Sequence, residues 1–246
     1  VLNILREFLR LRPGIRAAGP SLRSSAHGAG GHRRRVLDAY VQHPVATRAH
    51  VRGRWRTAPL ASLDRWVPPA GRILEFGTGN GVVAVSLALQ SPDRSVLAVD
   101  IDERRTGSAA AAVARMRLAD RVDVLHVGDD WVPSPNSFDA VVVVDVLYLF
   151  GRARALEVLD ALLAALRPNG VLVVKEMADS PRWKGRVNRF QEWVAVRGLG
   201  VTSGNVVDVI PAEDLAAHLR RRGCTVEVVA LDSGYAHPHA VVVAHP

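Results

Sequence analysis

The sequence is short of what several classes of protein require. It has one cysteine, Cys224, in 246 residues. That excludes a disulfide framework within the chain and a cysteine-based zinc site. No uninterrupted apolar run reaches the roughly 18 residues of a membrane-spanning helix. The longest apolar stretch, 140–150, carries Asp145 in its middle and reads as a buried strand. Residues 1–11 are apolar only in part, being interrupted by Arg6, Glu7 and Arg10, so no secretory leader is expected. A reducing, cytoplasmic setting fits these absences. Wholesale disorder is excluded too, because 48% of the residues are apolar.

Acids are scarce in one region only. Residues 1–56 hold twelve arginines against two acids, Glu7 and Asp38, a net of +10. The whole chain nets +8, so the remainder nets −2. The basic character therefore belongs to an N-terminal extension, 1–56, and not to a body at 57–246. Such an arm suits an anionic membrane or RNA. Within it, Val1, Ile4, Leu5, Phe8 and Leu11 share one face of a potential helix over 1–12, a candidate peripheral membrane contact. Residues 17–35, rich in Gly, Ser, Ala and His, read as a flexible linker. A helical region is expected over about 36–66, ended by Pro68-Pro69.

From residue 72 the pattern alternates. Short apolar strands are expected at 73–76, 96–99, 122–127, 140–144 and 171–174, with helices at 82–89, 103–118 and around Leu156, Leu159, Leu163 and Leu166. This implies a doubly wound α/β fold with a mostly parallel sheet and right-handed crossovers. The regularity lapses over 177–223, a candidate lid or substrate insert with helical stretches near 182–196 and 212–222. Strands at 225–231 and 240–244, separated by a short turn, suggest an antiparallel hairpin at the sheet edge.

The first strand runs into Glu75-Phe76-Gly77-Thr78-Gly79-Asn80-Gly81 and then a helix. Open α/β sheets bind ligands at such strand ends. No Gly-Lys-Ser/Thr follows, so this is not a phosphate-binding P-loop. Val82 stands where a dinucleotide fingerprint needs its third glycine. Glu75 beside the loop would repel a pyrophosphate and favour a cation. Asp100 ends the second strand, followed by Ile101, and can accept both hydroxyls of a ribose. Asp129 and Asp130 follow the third strand, where they can accept from an exocyclic amine. A single acid at such a place reads equally as a helix cap; acids at three successive strand ends read as a ligand site.

Residues 72–175 resemble the class I S-adenosylmethionine-dependent methyltransferases. The resemblance rests on the Glu-x-Gly-x-Gly-x-Gly loop, Asp100, Gly128-Asp129, Phe138-Asp139 and Leu166-Arg167-Pro168-Asn169-Gly170. It implies a seven-stranded sheet and S-adenosylmethionine as cofactor. It also implies that Glu75, Gly77 and Gly79 lie near the methionine part, that Asp100 holds the ribose and that Asp129 faces the adenine; Thr78, Asn80, Gly81, Ile101 and Asp130 are further candidate cofactor contacts.

Methyl transfer depends chiefly on orientation, so a dedicated base is optional. Candidates for one are Asp145 after the fourth strand and Glu176 at the end of the fifth; Asp145 reads alternatively as a cap for the helix near Gly151 or as a partner of the cofactor's ammonium, and Glu176 as an ion pair with Lys175. Tyr148 and Trp183 are candidate acceptor contacts, Trp183 through an apolar lid face shared with Val187 and Phe190. The fourth strand does not end in Asn/Asp-Pro-Pro-aromatic and carries no cysteine, which disfavours amino-methylation of adenine or glutamine and covalent attack on a pyrimidine. His237 and His239 alone do not make a metal site. A small or lipid-like acceptor is the leading expectation. An RNA methyltransferase using the basic arm and a membrane-associated binding protein with a degenerate cofactor fold are the alternatives.

Overall fold

In the computed structural model, which describes residues 29–177, 210–231 and 239–246, the expected apolar runs are strands of one seven-stranded sheet. In chain order they are β1 (Gly71–Phe76), β2 (Arg94–Asp100), β3 (Val122–His126), β4 (Phe138–Val144), β5 (Leu166–Met177), β6 (Thr225–Ala230) and β7 (His239–His245). Their spatial order is β3-β2-β1-β4-β5-β7-β6. The first five pair in parallel, and β7 runs antiparallel to both β5 and β6. The chain winds outward from β1 to β3, then returns to β4 on the other side of β1. That reversal opens a crevice at the carboxyl ends of β1 and β4. Register aligns the ends: Phe76 pairs with Val99 on β2 and with Val143 on β4.

Helices α1 (Ala29–Asp38), α2 (Val45–Thr57), α3 (Val82–Gln90), α4 (Glu103–Arg115), α5 (Arg152–Ala164) and α6 (Ala212–Arg221) cover the sheet. Successive strand residues face opposite sides, and two cores follow. Ile73, Val96, Ala98 and Val142 pack under α1 to α4, whereas Leu74, Val99, Val141 and Val143 pack under α5 and α6. β4 is buried on both faces, which explains its unbroken valine run.

Two expectations about the N-terminal region change. The supposed linker at 17–35 is helical from residue 29, and the single region at 36–66 is two helices and a 3-10 turn (Leu60–Trp66), interrupted at Pro44 and Pro59. Glycines 30 and 31 disfavour helix by about 1 kcal/mol each. Complete burial of Val36 and near-complete burial of Tyr40 offset that, at roughly 1.5–3 kcal/mol per large side chain. His32 also reaches Ser86 Oγ on α3 at 2.9 Å. Val36, Ala39, Tyr40, Val51 and Trp55 belong to the same core as the sheet, so 29–57 packs with the body despite its charge. The helix at 156–166 ends earlier than its leucine spacing implied. Leu166 already pairs with Phe138, and the ladder resumes at Ala140 with Val171, looping out 167–170 around Asn169 at φ +66°. The expected helix at 212–222 is α6. The helix over 1–12, the first helical stretch of the lid with Trp183, and His237 lie outside the described residues.

Candidate active site

The loop after β1 is held tightly at its flanks and open in its middle. Gly77, Gly79 and Gly81 have φ of +78°, +55° and +79°, values that glycine adopts at little cost. A Cβ on Gly77 would lie 2.3 Å from Val146 Cγ2, and one on Gly81 would lie 2.7 Å from Ala109 Cβ. On Gly79 it would meet nothing within 4 Å. The amides of Gly77 and Thr78 both donate to the Val99 carbonyl at 2.9 Å, which stitches the loop to β2. From the other side the buried Tyr40 hydroxyl donates to the Asn80 carbonyl at 2.8 Å.

Two carboxylates line this opening. Glu75 is 2% exposed and accepts from Thr78 Oγ1 at 2.6 Å. Burial pushes its carboxyl up to about 8, and the charge of Asp100 adds to the rise. Asp100 accepts from the Gly79 amide at 2.7 Å with Oδ2 and from the Asp102 amide at 3.0 Å with Oδ1. Each oxygen keeps a lone pair for a further donor. The cap of α4 is Asp102, which accepts from the amides of Arg104 and Arg105, so Asp100 is not needed for that role. Beside it Ile101 is half exposed, an apolar surface at the end of β2. The Val127 amide donates to the Asp100 carbonyl at 3.0 Å, so the chain after β3 runs alongside. Asp129 and Asp130 are exposed there, followed by Trp131, whose ring stacks on Phe76 at 6.5 Å.

The end of β4 is built differently. Asp145 sits in the left-handed region at φ +55°. Its Oδ1 accepts from Lys175 Nζ at 2.6 Å and its Oδ2 from Arg54 Nη2 at 3.0 Å. Lys175 is wholly buried. Burial alone would raise the Asp145 carboxyl, but Lys175 and then Arg54 outweigh it and hold it below the usual carboxylate range. A carboxylate so held has little affinity for a proton, which counts against general-base chemistry. Nor does Asp145 cap the helix at 152–164, whose cap is Gly151 with no side-chain hydrogen bond. Glu176 is not the ion-pair partner of Lys175, because adjacent strand residues point to opposite faces. It accepts from the amides of Val146 at 3.1 Å and Leu147 at 2.9 Å, bracing the 3-10 turn (Leu147–Leu149) that carries Tyr148. Burial, then the charge of Asp145, pushes the Glu176 carboxyl up to about 8. Burial and Asp145 likewise raise the Tyr148 phenol, which stays a proton donor.

Sequence reasoning did not single out Arg54, His50, Tyr40 or Trp131. Arg54 was counted with the basic extension, and a charge sum cannot say where a guanidinium points. His50, one turn before Arg54 on α2, has its imidazole lowered to about 4 by burial, then by Arg54 and Arg105, and is neutral at pH 7. The spacing of Val36 and Tyr40 is the one signal that marks Tyr40 as core-facing. His239 lies on β7 with Nε2 at 2.7 Å from the Thr57 carbonyl, tying the last hairpin to α2.

The edge thus offers a glycine loop with an open middle, a buried carboxyl with no direct cation, an acid with free lone pairs, and an exposed apolar side chain. This donor-poor, acceptor-rich set fits a positively charged nucleoside and not a pyrophosphate. Comparison with known proteins agrees. A family model described as a methyltransferase domain matches residues 47–229. A ubiquinone/menaquinone biosynthesis C-methyltransferase from Syntrophotalea carbinolica is 28% identical over 205 residues, covering 74% of this chain and 82% of that protein. The tRNA1(Val) (adenine(37)-N6)-methyltransferase of Bacteroides thetaiotaomicron is 43% identical over 83 residues, covering 32% of this chain and 35% of that protein. An O-methyltransferase family structure from Burkholderia thailandensis superposes with a TM-score of 0.61 at 16% identity, over 80% of this chain and 57% of that one, a likeness of fold. The chain spans between 35% and 58% of the length of the first curated relatives it matches. With the family model covering most of it, the chain belongs to the class I S-adenosylmethionine-dependent methyltransferases.

Proposed function

We propose that this chain transfers a methyl group from S-adenosylmethionine to a small-molecule or lipid-like acceptor. One observation carries the reading: Glu75 and Asp100, at the ends of adjacent strands, flank a glycine loop whose middle faces open space. The cofactor, when bound, supplies a methyl group already activated on a sulfonium. Glu75 gives up its proton as the cationic methionine part binds and then pairs with it, and Gly77, Thr78, Gly79, Asn80 and Gly81 let backbone approach it. Asp100 accepts from the ribose hydroxyls, Ile101 covers one face of the purine, and Asp129 or Asp130 accepts from its amine.

Asp145 and Glu176 act here as positioning residues. Asp145 is locked between Lys175 and Arg54, and Glu176 holds the turn that presents Tyr148 to the acceptor. Tyr148 donates a hydrogen bond, and the chain orients the acceptor, whose proton leaves to solvent and not to Asp145. The small-molecule reading draws support from the quinone-biosynthesis relative, whose match runs along three quarters of the chain.

Calorimetric titration with S-adenosylhomocysteine tests the cofactor assignment. Two hydrogen bonds to a charged acceptor contribute about 1.5–3 kcal/mol each, so Asp100→Ala should weaken binding by about two to four powers of ten. Equal affinity in the two proteins would overturn the assignment. Transfer of labelled methyl to quinols or phenols, against none to tRNA, tests the acceptor class.

A further inference from the structure

The helix pair α1–α2 carries charge that the methyl-transfer reading does not use. Residues 29–57 hold seven arginines and one acid, Asp38, a net of +6. Between the two helices runs a shallow groove of about 270 Å³ lined by Gly30, Arg33, Arg34, Leu37, Asp38 and Arg52. Arg48 and Arg52, one turn apart on α2, also line a small cavity that adjoins it at Leu37. Arg33, Arg34, Leu37 and Asp38 share a face of α1 by their spacing of three and four. On α2, His50 and Arg54 lie on a different face from Arg48 and Arg52, so the groove is separate from the crevice at the strand ends.

Three arginines line the groove against one carboxylate, Asp38, which pairs with none of them. Among the described residues Arg33, Arg34, Arg48 and Arg52 form no ion pair, while Arg54, Arg94, Arg152, Arg167 and Arg222 each hold a carboxylate. The Nε donors of Arg33 and Arg48 are closed off from solvent with no acceptor. A buried donor without a partner is costly, and like charges one helical turn apart repel. Residues 1–28 add five arginines and a single acid, Glu7, so the missing negative charge is not abundant there. An oxyanion from outside the chain relieves the repulsion. A carboxylate has one charge and two oxygens. A phosphate has up to two charges and three free oxygens, which suits several guanidinium forks at once. Arg33 and Arg34 are adjacent on α1, and Arg48 and Arg52 lie one turn, about 6 Å, apart on α2, a patch small enough to suit one such group.

We propose that the α1–α2 groove is a binding site for a phosphate group, borne either by a free small molecule or by a lipid headgroup, with Arg33, Arg34 and Arg52 as its main contacts and Arg48 behind them. The test uses the full chain with inorganic pyrophosphate, followed by calorimetry and thermal unfolding. Pyrophosphate should bind and raise the melting temperature. The exposed pair of substitutions Arg34→Glu with Arg52→Glu should weaken that binding at least tenfold. Arg34→Lys with Arg52→Lys keeps the charge, loses the fork, and should fall between. All three proteins should bind S-adenosylhomocysteine alike, which checks folding and keeps this test apart from that of the cofactor site. Flotation with phosphatidylcholine vesicles containing phosphatidic acid, lost in the Glu variant, assigns the headgroup; pyrophosphate binding without flotation assigns the free ligand. Three results would overturn the proposal. They are no binding of either probe by the wild type, equal binding by wild type and Glu variant, and binding of an RNA oligomer that pyrophosphate does not displace.

Discussion

Two loops on the same sheet edge each bury a carboxylate, and the protein treats the two charges in opposite ways. At the end of β1, Glu75 has a hydroxyl and no direct cation, and its carboxyl rises to about 8. After β4, Asp145 has an ammonium and a guanidinium, and its carboxyl falls below the usual range. The difference separates a site that awaits a cation from one that already holds its own. Position at a strand end, which both share, does not distinguish them; the neighbours do.

The comparison can be broken most forcefully at Asp145. Asp145→Asn leaves Lys175 buried without compensation, and loss of one partner of a buried pair costs about 3–5 kcal/mol. Urea unfolding should show a loss of that size; a change under 1 kcal/mol would mean that the pair is not formed. Glu75→Gln is the matched control. Near pH 6 the Glu75 carboxyl is already largely protonated, so the substitution should leave stability within about 1 kcal/mol while weakening S-adenosylmethionine.

Gly77→Ala probes how the two loops fit together. The added methyl meets Val146 at 2.3 Å and the φ is +78°. A left-handed non-glycine residue costs roughly 1–2 kcal/mol and overpacking roughly 1–3 kcal/mol. A loss of about 2–5 kcal/mol is expected in the same unfolding measurement. Unchanged stability would show that the loop after β4 moves freely away.

The effect of pH sharpens the contrast. Glu75 and Glu176 have folded-state values near 8 against 4.5 for the free side chain. Their contribution to stability is complete below about 4.5 and is lost as pH rises through about 8. Asp145 has the opposite sign: its contribution is present above the free value of 3.8 and lost on acidification. A cation bound beside Glu75 lowers its carboxyl, so binding should release a proton and tighten between pH 6 and 8. At pH 7 the binding enthalpy should vary with the buffer's ionisation enthalpy, and Glu75→Gln should reduce that dependence. The smallest effect is expected at Thr78, where Thr78→Val removes one hydrogen bond to Glu75, worth about 1 kcal/mol.

Much of the sheet was legible in advance. Strands β1 to β4 fell within a few residues of their apolar runs; β4, buried on both faces, leaves an unbroken valine run, whereas the edge strand β3 interrupts its run with the exposed Asp123. The acids at 75, 100 and 129 stand out in the sequence because they lie at or just after the carboxyl ends of β1, β2 and β3. The employment of Asp145 and Glu176 could not, since the ion pair with Arg54 spans 91 positions and the Glu176 contacts span 30 and 29. The helicity of 29–35 was hidden by glycines and like charges that disfavour it locally and that core burial overrides.

What the sequence determined by itself is whatever repeats locally: the alternation of strand and helix, the glycine loop, and the sign of the charge beside it. What only tertiary structure decided is which charges meet. The reversal of strand order beside β1 sets the β4 loop against the glycine loop. The packing of Tyr40 and Trp55 swings α2 over that crevice, so that Arg54 reaches Asp145 while Arg52 faces the groove shared with α1. Short-range patterns encode element type because backbone and solvent act residue by residue. Charge pairing depends on distance in space, which the chain acquires only when its cores close.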